Sequence, residues 1–129
     1  MKRTATLLVF VLLLAMPVAL GVPETQTLTG EFVWSARSDT GDLEAVFTPT
    51  GEQTWDVSFH FEFRGRPHVY TGSAQGSLSQ GELKGEVKNE NKKRTFVFSG
   101  TVKNGKFQGT HAEIEGGREQ STGTLTLKG

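Results

Sequence analysis

The chain has 129 residues, no cysteine, and 14 basic against 14 acidic side chains, so its formal net charge is zero. This charge balance argues against a general nucleic-acid-binding protein, which needs a basic surface to neutralise phosphates. The missing cysteines exclude disulfide bonds, a thiol nucleophile and a lipid-anchored cysteine.

The first 21 residues have the features of a secretory signal peptide. Two basic residues precede an apolar run over 5–20, which ends in the small-x-small cleavage pattern of 19–21. A transmembrane anchor is the alternative, but such a helix needs about 20 apolar residues and this run is interrupted by Pro17. We therefore expect a secreted or periplasmic protein whose mature chain, 22–129, is one slightly acidic domain.

Eight strand-like segments follow, and no helical periodicity competes with them. Their predicted bounds are 27–37, 43–49, 53–64, 68–79, 82–89, 94–103, 106–114 and 119–128. Short turns rich in Gly, Asn and Asp separate them, the first of which is expected at 38–41. Because parallel pairing needs longer crossovers, the sequence predicts an antiparallel meander in which each strand pairs with the next.

The clearest turn signal is Asn104-Gly105, since these residues tolerate the positive φ that a two-residue hairpin turn requires. The turn sets the register of its two strands, with Val102 opposite Phe107 and Phe98 opposite His111. Neighbouring pairs inferred in the same way place small residues beside large ones, as with Gly85 and Phe98.

Every aromatic residue after Phe10 falls on the apolar phase of its strand, together with several glycines. Glycines on one face of a curling sheet leave room for rings from the opposite wall, and closure removes exposed sheet edges. We therefore predict an all-β fold, an eight-stranded up-and-down meander closed into a small barrel, in which 27–37 pairs with 119–128. A curled sheet or a two-sheet sandwich is the structural alternative.

An outer-membrane barrel would present the same apolar face to lipid instead. Its strands need about 9 to 11 residues, whereas the segment over 82–89 offers only Leu83 and Val87 as sizeable apolar residues. Long loops are also missing from the sequence. We therefore expect a protein that does not span a membrane.

In strand number and meander order the predicted barrel resembles the avidin and lipocalin groups. The lipocalin signature near the first strand is Gly-x-Trp, whereas Gly30 and Trp34 are four positions apart here. What the resemblance implies is a lipocalin-like role in binding a small apolar molecule.

Motifs for catalysis and cofactors are missing. The sequence contains no Gly-x-Ser-x-Gly elbow, no phosphate-binding loop and no His-Glu-x-x-His pair. His60 and Glu62 share a strand face, but that face is the polar one. We predict no cofactor, no metal ion and no catalytic residue, and an enzyme that uses mouth residues for acid–base chemistry is the minority alternative.

Inward-facing polar residues gather at one end of the predicted barrel, which we call the mouth. The candidate ligand-binding residues are Trp34, Phe61, His68, Tyr70, His111, Glu113 and Ser121. Glu113 faces inward only if its strand is regular, and a bulge near Ala112 would turn it outward. An apolar floor below a few polar groups is the usual construction of a ligand cavity.

Two functions remain open on these observations. The first is a secreted barrel that binds a small, partly apolar ligand at the mouth, where an anionic ligand would suit the slightly basic rim. The second is a packed barrel without a cavity that acts through its outer surface, as an interaction or envelope-associated structural protein. The partner, a small molecule or a protein, is not identified by any motif, and the interior volume discriminates the two functions.

Overall fold

The computed structural model describes residues 24–129, and the signal peptide expected over 1–21 lies outside the described residues. The strands are β1 (Gln26–Trp34), β2 (Asp39–Gly51), β3 (Thr54–Phe63), β4 (Arg66–Gly76), β5 (Gly81–Asn89), β6 (Thr95–Lys103), β7 (Lys106–Glu115) and β8 (Arg118–Lys128). Each strand pairs antiparallel with the next and β8 pairs with β1, which closes the barrel. The predicted all-β meander and its closure are confirmed.

The β1–β8 ladder, which we call the seam, runs from Thr29 opposite Lys128 to Trp34 opposite Gly123. A backbone hydrogen bond from Ser35 to the Thr122 carbonyl continues it toward the mouth. The seam therefore lies within the two segments that the sequence predicted to pair.

The hairpin between β6 and β7 has the predicted register, with Val102 opposite Phe107 and Phe98 opposite His111. Asn104 and Gly105 have φ values of 51° and 79°, the left-handed conformation that this two-residue turn needs. The inferred pairing of Gly85 with Phe98 is also observed. A Cβ on Gly85 would lie 2.6 Å from the Phe98 ring, so the small residue makes room for the large one.

The apolar phase of the strands forms the interior. Side chains at the end opposite the mouth are packed most tightly, and Phe47 and Phe107 are fully buried. The loop between β4 and β5 covers this end with the buried Leu78, and the Trp55 indole donates to the Gly76 carbonyl at 3.0 Å. We call this end the closed end.

The outer face carries mostly exposed polar residues. A barrel facing lipid requires the reverse arrangement of its two faces. In the part of the chain that the structure describes, no helix has the length and apolar character needed to cross a membrane.

The first turn differs from the prediction, because it occupies residues 35–38 and not 38–41. Ser38 has a φ of 57°, and Asp39 already pairs with Trp34. Gly41 lies within β2 opposite Phe32, and a Cβ on Gly41 would lie 2.6 Å from the Phe32 ring. The glycine that suggested a turn therefore makes space for an aromatic ring.

Strand β8 contains a bulge. His111 is opposite Gly123 while Ala112 is opposite Ser121, so Thr122 is an extra residue without a partner in β7. Strand β7 itself keeps a regular register with β6, so the bulge considered near Ala112 is absent from β7. The bulge reverses the phase of β8, and Ser121 consequently lies exposed on the outer face. The predicted inward position of Ser121 is wrong for this reason.

Candidate functional site

The mouth opens into a cavity of about 170 Å³. Rings from four strands form most of its wall. They belong to Phe32, Trp34, Phe59, Phe61, Phe63, Tyr70, Phe96 and Phe98. Leu43, Val87, Val97 and Leu125 complete the apolar wall, and the polar side chains that line it are Arg37, His68, Arg94 and His111. The packed-barrel alternative requires an interior filled by side chains. This interior is not filled throughout.

The rings hold one another mainly through edge-to-face contacts. Phe32 meets Phe61 with centroids 5.2 Å apart, and Phe96 meets both Trp34 at 5.6 Å and Tyr70 at 5.7 Å. This geometry places the positive edge of one ring against the negative face of the next. These ring contacts stabilise the wall of the cavity.

Arg94 and Glu113 form a two-pronged ion pair at the mouth. The Arg94 Nε donates to Glu113 Oε2 at 2.9 Å, and its Nη2 donates to Oε1 at 2.8 Å. The guanidinium carbon also lies 5.5 Å from the Trp34 ring centroid and 5.3 Å from that of Phe96. The hydrogen bonds to Glu113 raise the pKa of Arg94, although partial burial opposes them. The rings of Trp34 and Phe96 and the carboxylate of Glu113 together fix the position of the Arg94 guanidinium.

Tyr70 is buried beside this pair, and its ring lines the cavity. Burial raises the pKa of the Tyr70 phenol, while the nearby charge of Arg94 lowers it and that of Glu113 raises it. Among the hydrogen bonds formed within residues 24–129, none involves the Tyr70 hydroxyl. Because the pKa of Tyr70 is raised above its ordinary 10.0, the phenol remains protonated at neutral pH.

His111 joins three strands close to the seam. Its Nε2 donates to the Val33 carbonyl of β1 at 2.9 Å, and its Nδ1 lies 2.6 Å from the Thr122 hydroxyl of β8. That hydroxyl also lies 3.0 Å from the carbonyl of His111 itself. In the neutral ring the hydroxyl donates to Nδ1; in the charged ring Nδ1 donates to the hydroxyl, which turns to the carbonyl. Both protonation states therefore keep their hydrogen bonds.

Burial lowers the pKa of His111 below its ordinary 6.5, and the hydrogen bond to Val33 offsets only part of this effect. The unfolded chain consequently takes up the proton at a higher pH than the folded barrel does. The resulting stability is complete above about pH 6.5 and is lost as the pH falls toward the folded pKa.

The expected loss of stability between about pH 7.5 and pH 5.5 is therefore smaller in His111→Gln than in the parent. Urea unfolding at both pH values measures it. His60→Gln is the control, since His60 is exposed on the outer face and should keep the parental pH dependence. A steeper loss in His111→Gln than in the parent would contradict the assignment.

The structure places the predicted site residues in three groups. Trp34, Phe61, His68, Tyr70 and His111 line the cavity. Glu113 keeps its inward phase and binds Arg94, but it is not among the residues that line the cavity. Ser121 lies outside.

The predicted polar cluster of His68, His111 and Glu113 does not form. His68 stacks on Phe61 with centroids 5.4 Å apart, whereas His111 packs against Trp34 and Phe96. No hydrogen bond or ring contact among residues 24–129 joins the two histidines, and the same described part of the chain holds no group of three metal-binding side chains.

Arg94 lines the cavity but is not among the candidate ligand-binding residues predicted from the sequence. It lies two positions before Phe96, on the same phase of the chain, and this spacing was the available signal. Arg37, also absent from those candidates, lines the cavity from the first turn.

Neither a search of protein-family models nor a search of curated proteins finds a match to this chain. A search of solved structures finds similarity to a structure described as a redesigned beta barrel. The TM-score is 0.63 and the sequence identity 17%, over 83% of this chain and 90% of that one. At this identity the similarity concerns the fold alone, and it agrees with a closed all-β barrel.

Proposed function

We propose that this protein binds a small, partly apolar molecule in the mouth cavity of its barrel. The observation that carries the proposal is an aromatic-walled cavity that opens at the mouth while Leu78 covers the opposite end. Cavities of this construction, apolar with a few polar groups near the entrance, are typical ligand sites.

The volume limits the size of the ligand. An apolar cavity of about 150 Å³ is large enough for benzene, so the cavity of about 170 Å³ suits a single ring with a small substituent. The ring would lie among Phe59, Phe98 and Leu125, and the substituent would face the polar residues at the mouth. An anionic substituent is compatible with Arg37 and Arg94 at that level.

The proposal includes export from the cytoplasm. Its support is the signal-like sequence over 1–21, which ends in a small-x-small pattern. The protein for the binding experiment should therefore be purified from the exported fraction. Its N-terminal sequence, expected to begin near Val22, tests cleavage in the same preparation.

Benzyl alcohol and benzoate are suitable probes, with dissociation constants of about 0.1–1 mM expected for ligands of this size. Binding is measured from the NMR shifts of the Trp34 indole. Val87→Phe fills the cavity from β5 and should weaken binding at least about 10-fold, since a single methylene in an apolar pocket is already worth about that factor or more. Val69→Phe on the outer face is the control.

Circular dichroism of both variants shows whether the barrel is still folded. Parental affinity in a folded Val87→Phe would contradict the proposal, as would failure of both probes to bind the parent. In either case a role of the outer surface would become the better explanation.

A further inference from the structure

We infer that the ligand is a ring-bearing monocarboxylate and that Arg94 is the residue that selects its charge. This inference rests on the proposed function and names the chemical class of the ligand. It is carried by the donors that reach the cavity and by the position of the acidic side chain next to them.

Arg94 has N–H donors that Glu113 does not use. A guanidinium has five N–H groups, and Glu113 takes one from Nε and one from Nη2. Three therefore remain, on the residue that lines the cavity at the mouth. Guanidinium groups bind carboxylates through parallel N–H donors, with a planar geometry that an ammonium group does not offer.

The rest of the cavity wall adds donors and no competing charge. Arg37 lines it without an acidic partner at ion-pair distance in the described residues 24–129. The protonated Tyr70 hydroxyl supplies a further donor close to Arg94. Among the described residues that line the cavity, none is an aspartate or a glutamate. The lining is therefore cationic, and an anion is the complementary ligand.

Glu113 is a positioning residue in this arrangement. It neutralises much of the Arg94 charge in the absence of ligand and, with Trp34 and Phe96, holds the guanidinium in one place. Because the Arg94 side chain is 45% exposed, water screens the charge and the selectivity it confers is moderate. A preorganised guanidinium loses less side-chain entropy when it binds a carboxylate.

Three probes of nearly equal shape test the inference. Benzoate is anionic, benzamide is neutral and benzamidinium is cationic, so a difference in their affinities reports charge and not size. In the parent we expect benzoate to bind at least about 10-fold more tightly than benzamide, since charge-assisted hydrogen bonds are roughly twice as strong as neutral ones. Benzamidinium should bind most weakly.

Arg94→Gln should reverse this order. It removes the guanidinium and leaves the carboxylate of Glu113 without its partner, so benzamidinium should become the preferred probe and benzoate should weaken about 10-fold or more. Arg94→Gln combined with Glu113→Gln removes both charges, and the three affinities should then agree within about threefold, with Arg37 the remaining charge. Arg66→Gln, an exposed arginine outside the cavity lining, is the matched control and should keep the parental order.

The outcomes separate the inference from the proposed function. Equal binding of the three probes by the parent, or a preference for benzamidinium, overturns the carboxylate assignment and leaves the cavity as a binding site. An Arg94→Gln variant that weakens all three probes equally makes Arg94 a structural residue and also overturns the assignment. Failure of all three probes to bind the parent removes the proposed function itself.

Discussion

Replacing Phe107 by alanine is expected to lower the free energy of unfolding by about 3–5 kcal/mol. Phe107 is fully buried at the closed end, where its ring meets that of Phe98 with centroids 6.2 Å apart and a nearly perpendicular orientation. The neighbouring Gly109 offers no side chain to fill the vacated space, and its missing Cβ is what admits the Phe107 ring. Because hydrogen-bonded strands surround the site on every side, the barrel cannot collapse into the cavity.

Urea or thermal unfolding of the two proteins measures this loss. Since a domain of this size has roughly 5–15 kcal/mol of stability, the variant would lie near the limit of folding. Phe63→Ala is the matched control, because Phe63 lies at the mouth and is only half-buried; it should cost about 1 kcal/mol. Similar losses at the two positions would show that the closed end is not the better packed part of the core.

The second large effect is expected at Gly100. A Cβ there would overlap the Gln108 carbonyl oxygen and lie 2.5 Å from the Cα of Gly109, both of them backbone atoms of β7. Backbone in a ladder cannot rotate away as a side chain does. Gly100→Val should therefore destabilise the barrel by about 3 kcal/mol, the upper part of the usual range for overpacking.

Thr101→Val is the control for this substitution. Thr101 is the next residue of β6 and is exposed on the outer face, so its change should stay within about 0.5 kcal/mol. Chemical denaturation of both variants gives the comparison. Equal effects at the two positions would mean that the inner and outer faces of β6 are exchanged.

Alternation of apolar and polar residues was sufficient to predict the barrel. The rings of β3 fall on one phase without exception, and Asn104-Gly105 determines the register of β6 and β7. Once that register is known, Glu113 must share the face of Phe96, and the structure agrees. These features depend only on residue types and on the period of a strand.

The bulge at Thr122 was beyond this reasoning. Residues 119–124 of β8 are polar or glycine on both phases, so no apolar residue marks which phase is inward before Leu125. A phase reversal in such a segment leaves no trace in the hydrophobic pattern. Ser121 was misplaced as a result. The hydrogen bond between His111 and Thr122 was missed for the same reason, since the bulge places Thr122 beside the imidazole.

The pairing of Arg94 with Glu113 has another origin. The two residues are not directly opposite in the ladder, since Glu113 is opposite Phe96. Long side chains can meet along the diagonal of two strands, but many rim charges compete for partners in the sequence. The rings of Trp34 and Phe96 lie against the Arg94 guanidinium and hold it where it meets Glu113. The positions of these rings depend on the closed barrel.

The seam also has a consequence for the kinetics of folding. Every other strand pair joins neighbours in the sequence, whereas the seam brings Thr29 to Lys128 across the whole barrel. Hairpins form early because their loops are short, and a contact of this separation is expected to form last. Until then the free edges of β1 and β8 are open to pairing with other chains. Trp34 lies opposite Gly123 in the seam, so in a Trp55→Phe variant, where it is the remaining tryptophan, the fluorescence in stopped-flow refolding should change in the slowest phase.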